Sequence, residues 1–281
     1  MIKRSIVVFL LVALSVFTMA CGTGSDDSSS IELGYVAWDS EIASTNVLKT
    51  VLEDEGFDVN ITDVSASLMY QGVAQGDFDA MVAAWLPTTQ ADYMVQYGDD
   101  LIDLGPNLTG TLIGLVVPAD APVNSIEDLV DTNYADGIIT GIEPGAGLMQ
   151  ATLTVIDSYG LDYELVEGSD ASMTATLADA IDNDEEVIVT GWTPHWKFAR
   201  WDLKYLEDPQ GIFGGEEQIH TLVREGFEAD NPEAFKIISN FAWTPDDMAE
   251  VMVMIADGTR AEDAARAWVD ANPDKVAAWT E

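Results

Sequence analysis

The chain has 281 residues, 48% of them hydrophobic, enough for one large domain or two ordinary domains with real cores. Its formal net charge is -39, from 50 acidic against 11 basic residues spread along the sequence, which argues against nucleic acid or an anionic substrate as partner. The only cysteine is Cys21, so no disulfide forms within the chain.

The first 20 residues read as an export signal. Lys3 and Arg4 form a positive start, residues 5–17 are apolar, and Ala20 precedes Cys21. The apolar run is too short for an ordinary spanning helix. A cysteine directly after such a signal resembles a bacterial lipoprotein processing site, which makes Cys21 the lipidation site and residues 21–30, rich in Gly, Ser and Asp, a flexible tether. Scarce lysine with abundant acid resembles adaptation to high salt or to an alkaline exterior.

Strands and helices then alternate. Residues 31–37 read as a strand. Asp39 or Ser40 can cap a helix over 41–55 that Gly56 stops. A second strand is expected over 57–62, a short helix over 67–75 and a third strand over 78–84, ending at Trp85. Such alternation predicts a parallel sheet covered by helices. Residues 112–118, an apolar run ending in Pro, join to a capped short helix at 125–129. The order then repeats: a strand over 137–142, a turn Gly145-Ala146-Gly147 opening a helix, a strand over 163–166, a helix over 172–181, and a strand over 186–191 ending at Trp192. Tyr35 to Trp85 and Ile142 to Trp192 span the same interval, and both halves close on Trp-x-Pro. The return strand lies within 211–223. Only helices follow, opened at Pro232, at Pro245, by a Thr259/Glu262 capping box, and at Pro273. The expected architecture is two α/β lobes, 31–115 plus 212–281 and 116–211, with two crossings that make a hinge and helices that pack back on the first lobe.

In parallel α/β sheets ligands bind where strand ends meet. Here those ends carry Trp38, Trp85 and Trp192 and the glycine turn. Aromatic faces suit a quaternary ammonium, each contact contributing roughly 0.5–2 kcal/mol once dry. The amides at Gly147 and Leu148 open a helix and suit a carboxylate. The combination points to a betaine-like ligand held between the lobes. The bland alternatives are tryptophans that plug the interlobe core and a turn that merely needs small residues.

Tyr35-Val36-Ala37-Trp38-Asp39-Ser40-Glu41-Ile42-Ala43-Ser44, Ala84-Trp85-Leu86-Pro87, Ser172-Met173-Thr174-Ala175-Thr176-Leu177 and Gly191-Trp192-Thr193-Pro194-His195-Trp196 resemble the glycine betaine-binding proteins of ABC osmoprotectant importers. The resemblance runs over nearly all of 31–281. It implies a two-lobed periplasmic-binding-protein-like (type II) fold, an ammonium cage of Trp38, Trp85 and Trp192, and carboxylate donors at Gly147 and Leu148. It also implies delivery to an ABC permease and its ATPase by a monomeric, extracytoplasmic protein without cofactor, metal or catalytic residues. The family tends to place a histidine where this chain has Gln90, whose amide donates a neutral hydrogen bond only; choline or carnitine thereby becomes the alternative ligand. His195 reads as structural, and Trp196, Trp201, Trp243, Trp268 and Trp279 as packing. From another class, Asp39 and Glu41 would be the carboxylate pair of a secreted carbohydrate-active enzyme.

Overall fold

The computed structural model describes residues 30–281; the signal, Cys21 and nearly all of the tether lie outside the described residues. In chain order the elements are β1 (Ser30–Tyr35), α1 (Asp39–Asp54), β2 (Asp58–Asp63), α2 (Ala66–Gln75), β3 (Ala80–Leu86), α3 (Ala91–Tyr97) and β4 (Leu101–Pro118). Then come β5 (Ile138–Thr140), α4 (Gly147–Tyr159), β6 (Glu164–Val166), α5 (Asp170–Asp182), β7 (Val189–Thr193), α6 (Lys197–Arg200), β8 (Leu203–Tyr205) and β9 (Glu217–Arg224). The chain ends in helices α7 (Phe227–Asp230), α8 (Pro232–Asn240), α9 (Pro245–Ala256), α10 (Ala261–Ala271) and α11 (Pro273–Thr280). Among the described residues no helix is long and apolar enough to cross a membrane.

The strands lie in the order β2-β1-β3-β9-β4-β7-β5-β6, with β8 on β4. β1, β2 and β3 are parallel, as are β5, β6 and β7, which matches the repeated βαβ reading of the two halves. The sheet as a whole is mixed rather than parallel. β9 runs antiparallel to β3 and β4, and β4 antiparallel to β7. The reason is the double crossing: a strand that leaves one lobe and one that returns to it must run against each other. β4 is the longest strand and serves both lobes. Leu101 to Thr111 pair with β9, and Leu112 to Val116 pair with β7.

Several helix starts follow local chemistry. The Ser65 hydroxyl accepts from the Leu68 amide at the start of α2, and Gly76 ends that helix in the left-handed region at φ 79. Thr244 and Asp247 form a reciprocal box at α9. Two expectations fail. The helix expected from 41 begins at Asp39, with Trp38 at the cap position and no side-chain cap. The Asp39 carboxylate is instead taken by the Trp196 indole N–H. The Thr259/Glu262 box does not form either. Arg260 occupies the cap position of α10 and pairs its guanidinium with Glu262 and Asp263.

β3 is buried at every position, as a central strand covered on both faces must be. The terminal helices pack on the first lobe as expected, α9 and α10 against α1. Their core is aromatic: Trp243 meets Trp268 edge to face at 5.7 Å, and Trp268 stacks on Trp279 at 5.8 Å. Those three tryptophans are packing residues, as read.

Candidate functional site

Trp38 follows β1, Trp85 lies in β3, Trp192 lies in β7, and Gly147 and Leu148 open α4. The fold brings all five to one cleft of about 300 Å3 of empty space, which Gln90 also lines. Thr89, Ala146, Ile113 and Ile142 complete its wall. Of these, Ile113 was hidden in sequence, because nothing in 112–118 distinguishes a wall residue from a buried strand residue.

Each indole is held at its edge by its N–H. Trp38 Nε1 donates to Glu143, Trp85 Nε1 to Glu41 at 2.7 Å, and Trp192 Nε1 to the Ser40 hydroxyl at 3.2 Å. Two of these bonds cross between the halves, Trp38 to Glu143 and Trp192 to Ser40. Three more crossings accompany them. The Asp39 amide donates to Asp170 at 2.9 Å, Trp196 Nε1 to Asp39, and the Tyr93 hydroxyl to the Gly145 carbonyl at 2.8 Å. The lobes are therefore closed on one another, and the indoles carry part of that contact.

Opposite the indoles lie donors without acceptors. Gly147 and Leu148 are the first two residues of α4, so their N–H groups have no partner within the helix. Gln90 is 1% exposed. Its Oε1 accepts from the Trp85 amide and the Tyr70 hydroxyl, both at 2.8 Å, which fixes the flip of the side chain and leaves Nε2 unpaired among the described residues. The 88–90 turn is itself clamped: the amides of Thr88 and Thr89 donate to the buried Glu217, the latter at 2.8 Å.

Behind the cage is a charged cluster that sequence reasoning did not assemble. Asp39, Asp170 and His195 lie close enough for their ligand atoms to share a metal ion. Their atoms are already engaged. His195 Nδ1 accepts from the Lys197 amide at 3.1 Å, so Nε2 carries the proton and donates to Asp170 at 3.1 Å. Burial and the repulsion of Lys197 push His195 down to about 4, which leaves it neutral near pH 7, a structural histidine. Burial, reinforced by Asp170, raises Asp39 to about 6. Against the burial penalty, His195, Lys197 and the Asp39 amide keep Asp170 below the usual carboxylate range. Lys197 is wholly buried, its ammonium 4.3 Å from the centre of the Trp192 ring. Trp196, tilted against Trp201 at 5.4 Å between ring centres, packs as expected but also bonds Asp39.

Asp39 and Glu41 do not form a catalytic pair around the cleft. Glu41 is 0% exposed and bonded to Ser40 and Trp85, and neither carboxylate lines the cavity.

Residues 29–271 match the model of a family described as the substrate-binding domain of ABC-type glycine betaine transport systems. The chain belongs to that family. Among curated relatives, the glycine betaine/carnitine transport binding protein GbuC of Listeria monocytogenes is 47% identical over 165 residues, 57% of this chain. That match spans about half, 54%, of the relative's length. Solved structures agree with the fold over about nine tenths of the chain. Lactococcal OpuAC, closed on glycine betaine, is 45% identical with a TM-score of 0.87, covering 90% of this chain and 99% of that one. The glycine betaine/L-proline-binding protein ProX of Borrelia burgdorferi is 38% identical with a TM-score of 0.87, covering 90% and 97%. A choline-binding protein of an ABC transporter, in complex with choline, is 27% identical with a TM-score of 0.82, covering 89% and 91%. The two-lobed fold of these substrate-binding proteins is the fold of this chain.

Proposed function

We propose that this protein captures glycine betaine between its lobes outside the cytoplasm and delivers it to an ABC permease and its ATPase. In this reading Trp38, Trp85 and Trp192 hold the trimethylammonium group, and Gly147 N–H, Leu148 N–H and Gln90 Nε2 hold the carboxylate. One observation carries it: three indoles, two helix-opening amides with no partner in their helix, and an amide nitrogen unpaired among the described residues line a single cleft. A betaine needs both poles. The lobes are 31–115 plus 212–281 and 116–211; in support, β4 passes from β9 to β7 after Thr111, a few residues before that boundary. Cys21 carries the lipid anchor, the protein acts as a monomer, and no chemical step or cofactor is involved.

Calorimetry with glycine betaine, carnitine, choline and a neutral sugar tests the assignment. Glycine betaine binds tightest, and the sugar gives no heat. A choline affinity equal to that of glycine betaine would mean that the carboxylate donors are idle. The choline or carnitine reading has its own support in Gln90, which offers a neutral amide where the family tends to have a histidine. Gln90→His is accordingly expected to raise the preference for glycine betaine over choline severalfold, because a donor that can carry charge strengthens only the carboxylate contact. An unchanged ratio of the two affinities would place position 90 outside the carboxylate site.

A further inference from the structure

Glu41 is enclosed completely, yet its carboxylate is bonded to the edge of one cage indole and, through Ser40, to that of another. Trp85 Nε1 donates to Oε1 at 2.7 Å, and the Ser40 hydroxyl donates to Oε2. Ser40 Oγ in turn accepts from Trp192 Nε1 at 3.2 Å. One carboxylate thus ties an indole of β3 to an indole of β7, across the two lobes.

Only the anion satisfies this set. A proton on Oε1 would face the Trp85 N–H. A proton on Oε2 would donate to Ser40 Oγ and turn the serine hydroxyl away from the carboxylate. The surroundings nevertheless oppose the charge. Burial pushes the Glu41 carboxyl up to about 8, against the pull of Ser40 and Trp85, and Asp170 adds repulsion. The other charged groups do little to relieve it. Asp39 shares its helix, and Glu143 stands behind Trp38, both acids. His195 is neutral, and Lys197 sits over Trp192 facing Asp39 and Asp170. Behind the Trp85 ring there is therefore an acid whose hydrogen bonds ask for charge and whose neighbours supply no compensating cation. A quaternary ammonium against the face of Trp85 supplies one, across the ring whose edge bonds Glu41.

We propose that Glu41 is the buried counter-charge of the onium cage, a positioning residue that gives up its proton as the cation enters. The proton leaves the carboxyl group for the buffer, and the Glu41 anion and the ligand cation remain as a pair separated by an indole. The inference rests on the ligand assignment above. Its sign follows from linkage. Without ligand, the raised acid contributes stability at low pH that is lost as pH rises through about 8. A cation that favours the anion lowers this pKa, so affinity rises with pH.

The test is calorimetry of glycine betaine binding in phosphate and in Tris, across pH. The dissociation constant is expected to fall roughly tenfold between about pH 7 and 9, and the heat to differ between buffers in proportion to the proton released. In Glu41→Gln the slope and the buffer dependence vanish while weaker binding remains. Lys197→Met keeps both, since Lys197 makes no contact with the Glu41 carboxylate. Buffer-independent heat with a flat pH profile in the unmodified protein overturns the inference, whether or not the glutamine variant folds. So does proton release that persists in Glu41→Gln. Absence of binding at every pH overturns the ligand assignment, and the inference with it.

Discussion

Trp192→Ala is expected to weaken glycine betaine binding about a hundredfold, some 2.7 kcal/mol. Three losses combine. The ligand loses an aromatic face worth roughly 0.5–2 kcal/mol in a dry site. The vacated volume admits water, which weakens the two remaining cation–π contacts. The Nε1 bond to Ser40, one of the ties between the lobes, disappears, so closure itself is less favourable. Trp192→Phe should recover part of the affinity, since it restores a face without the N–H. Calorimetry gives the result directly, with circular dichroism to show that the alanine variant folds. An affinity within about threefold of the unmodified protein would remove Trp192 from the ammonium contact.

The residues that converge on the cleft were legible because a parallel α/β arrangement dictates where they go. Trp38, Trp85 and Trp192 each end an apolar run, and the ends of such runs meet at one edge. Gly147 was legible for the same reason, as the opening of a helix after a strand. What escaped depends on contacts between distant parts of the chain. Asp39 has the local profile of a cap, but Trp196 takes its carboxylate from 157 residues away. Lys197 follows His195 in a polar-looking stretch, and only the packing of Gly191 and Trp192 against it makes it a buried cation. Glu143 and Ser40 bond indoles from the opposite half. β4 is not legible as one strand: only the apolar run 112–118 stands out, and Gly105, Pro106 and Gly110 look like breaks. In the sheet they fall at register shifts along β9, where the strand bends without ending. The mixed sheet was missed with it: the antiparallel pairing of β9 and β4 follows from the lobe crossings, which local alternation does not encode.

Gly147→Ala is expected to abolish tight binding while leaving the fold intact. A Cβ at this position would stand 1.9 Å from the Thr89 carbonyl oxygen and 2.7 Å from its carbon, distances that no flexible side chain can relieve because the obstacle is backbone. That backbone is held in place, since the amides of Thr88 and Thr89 are bonded to Glu217. Nothing local objects to alanine. Gly147 is the first residue of α4, and alanine is the better helix former by about 1 kcal/mol. The clash is therefore between lobes, not within one, and opening the hinge removes it. The unliganded variant should melt near the unmodified protein, because its open form keeps both cores. The liganded state should be lost, since the Gly147 and Leu148 amides can no longer approach the 88–90 turn and Gln90. Scattering distinguishes this from simple loss of a contact: the radius of gyration of the unmodified protein falls when glycine betaine is added, and that of the variant does not. Gly160→Ala serves as the control. It also sits on α4, as the left-handed cap at φ 66, with open space around it, so it strains the helix end but leaves closure and affinity unchanged. Binding by Gly147→Ala within about threefold of the unmodified protein would mean that the lobes capture their ligand in a wider arrangement than this one. The close approach of α4 to the turn after β3 would then belong to the unliganded molecule alone.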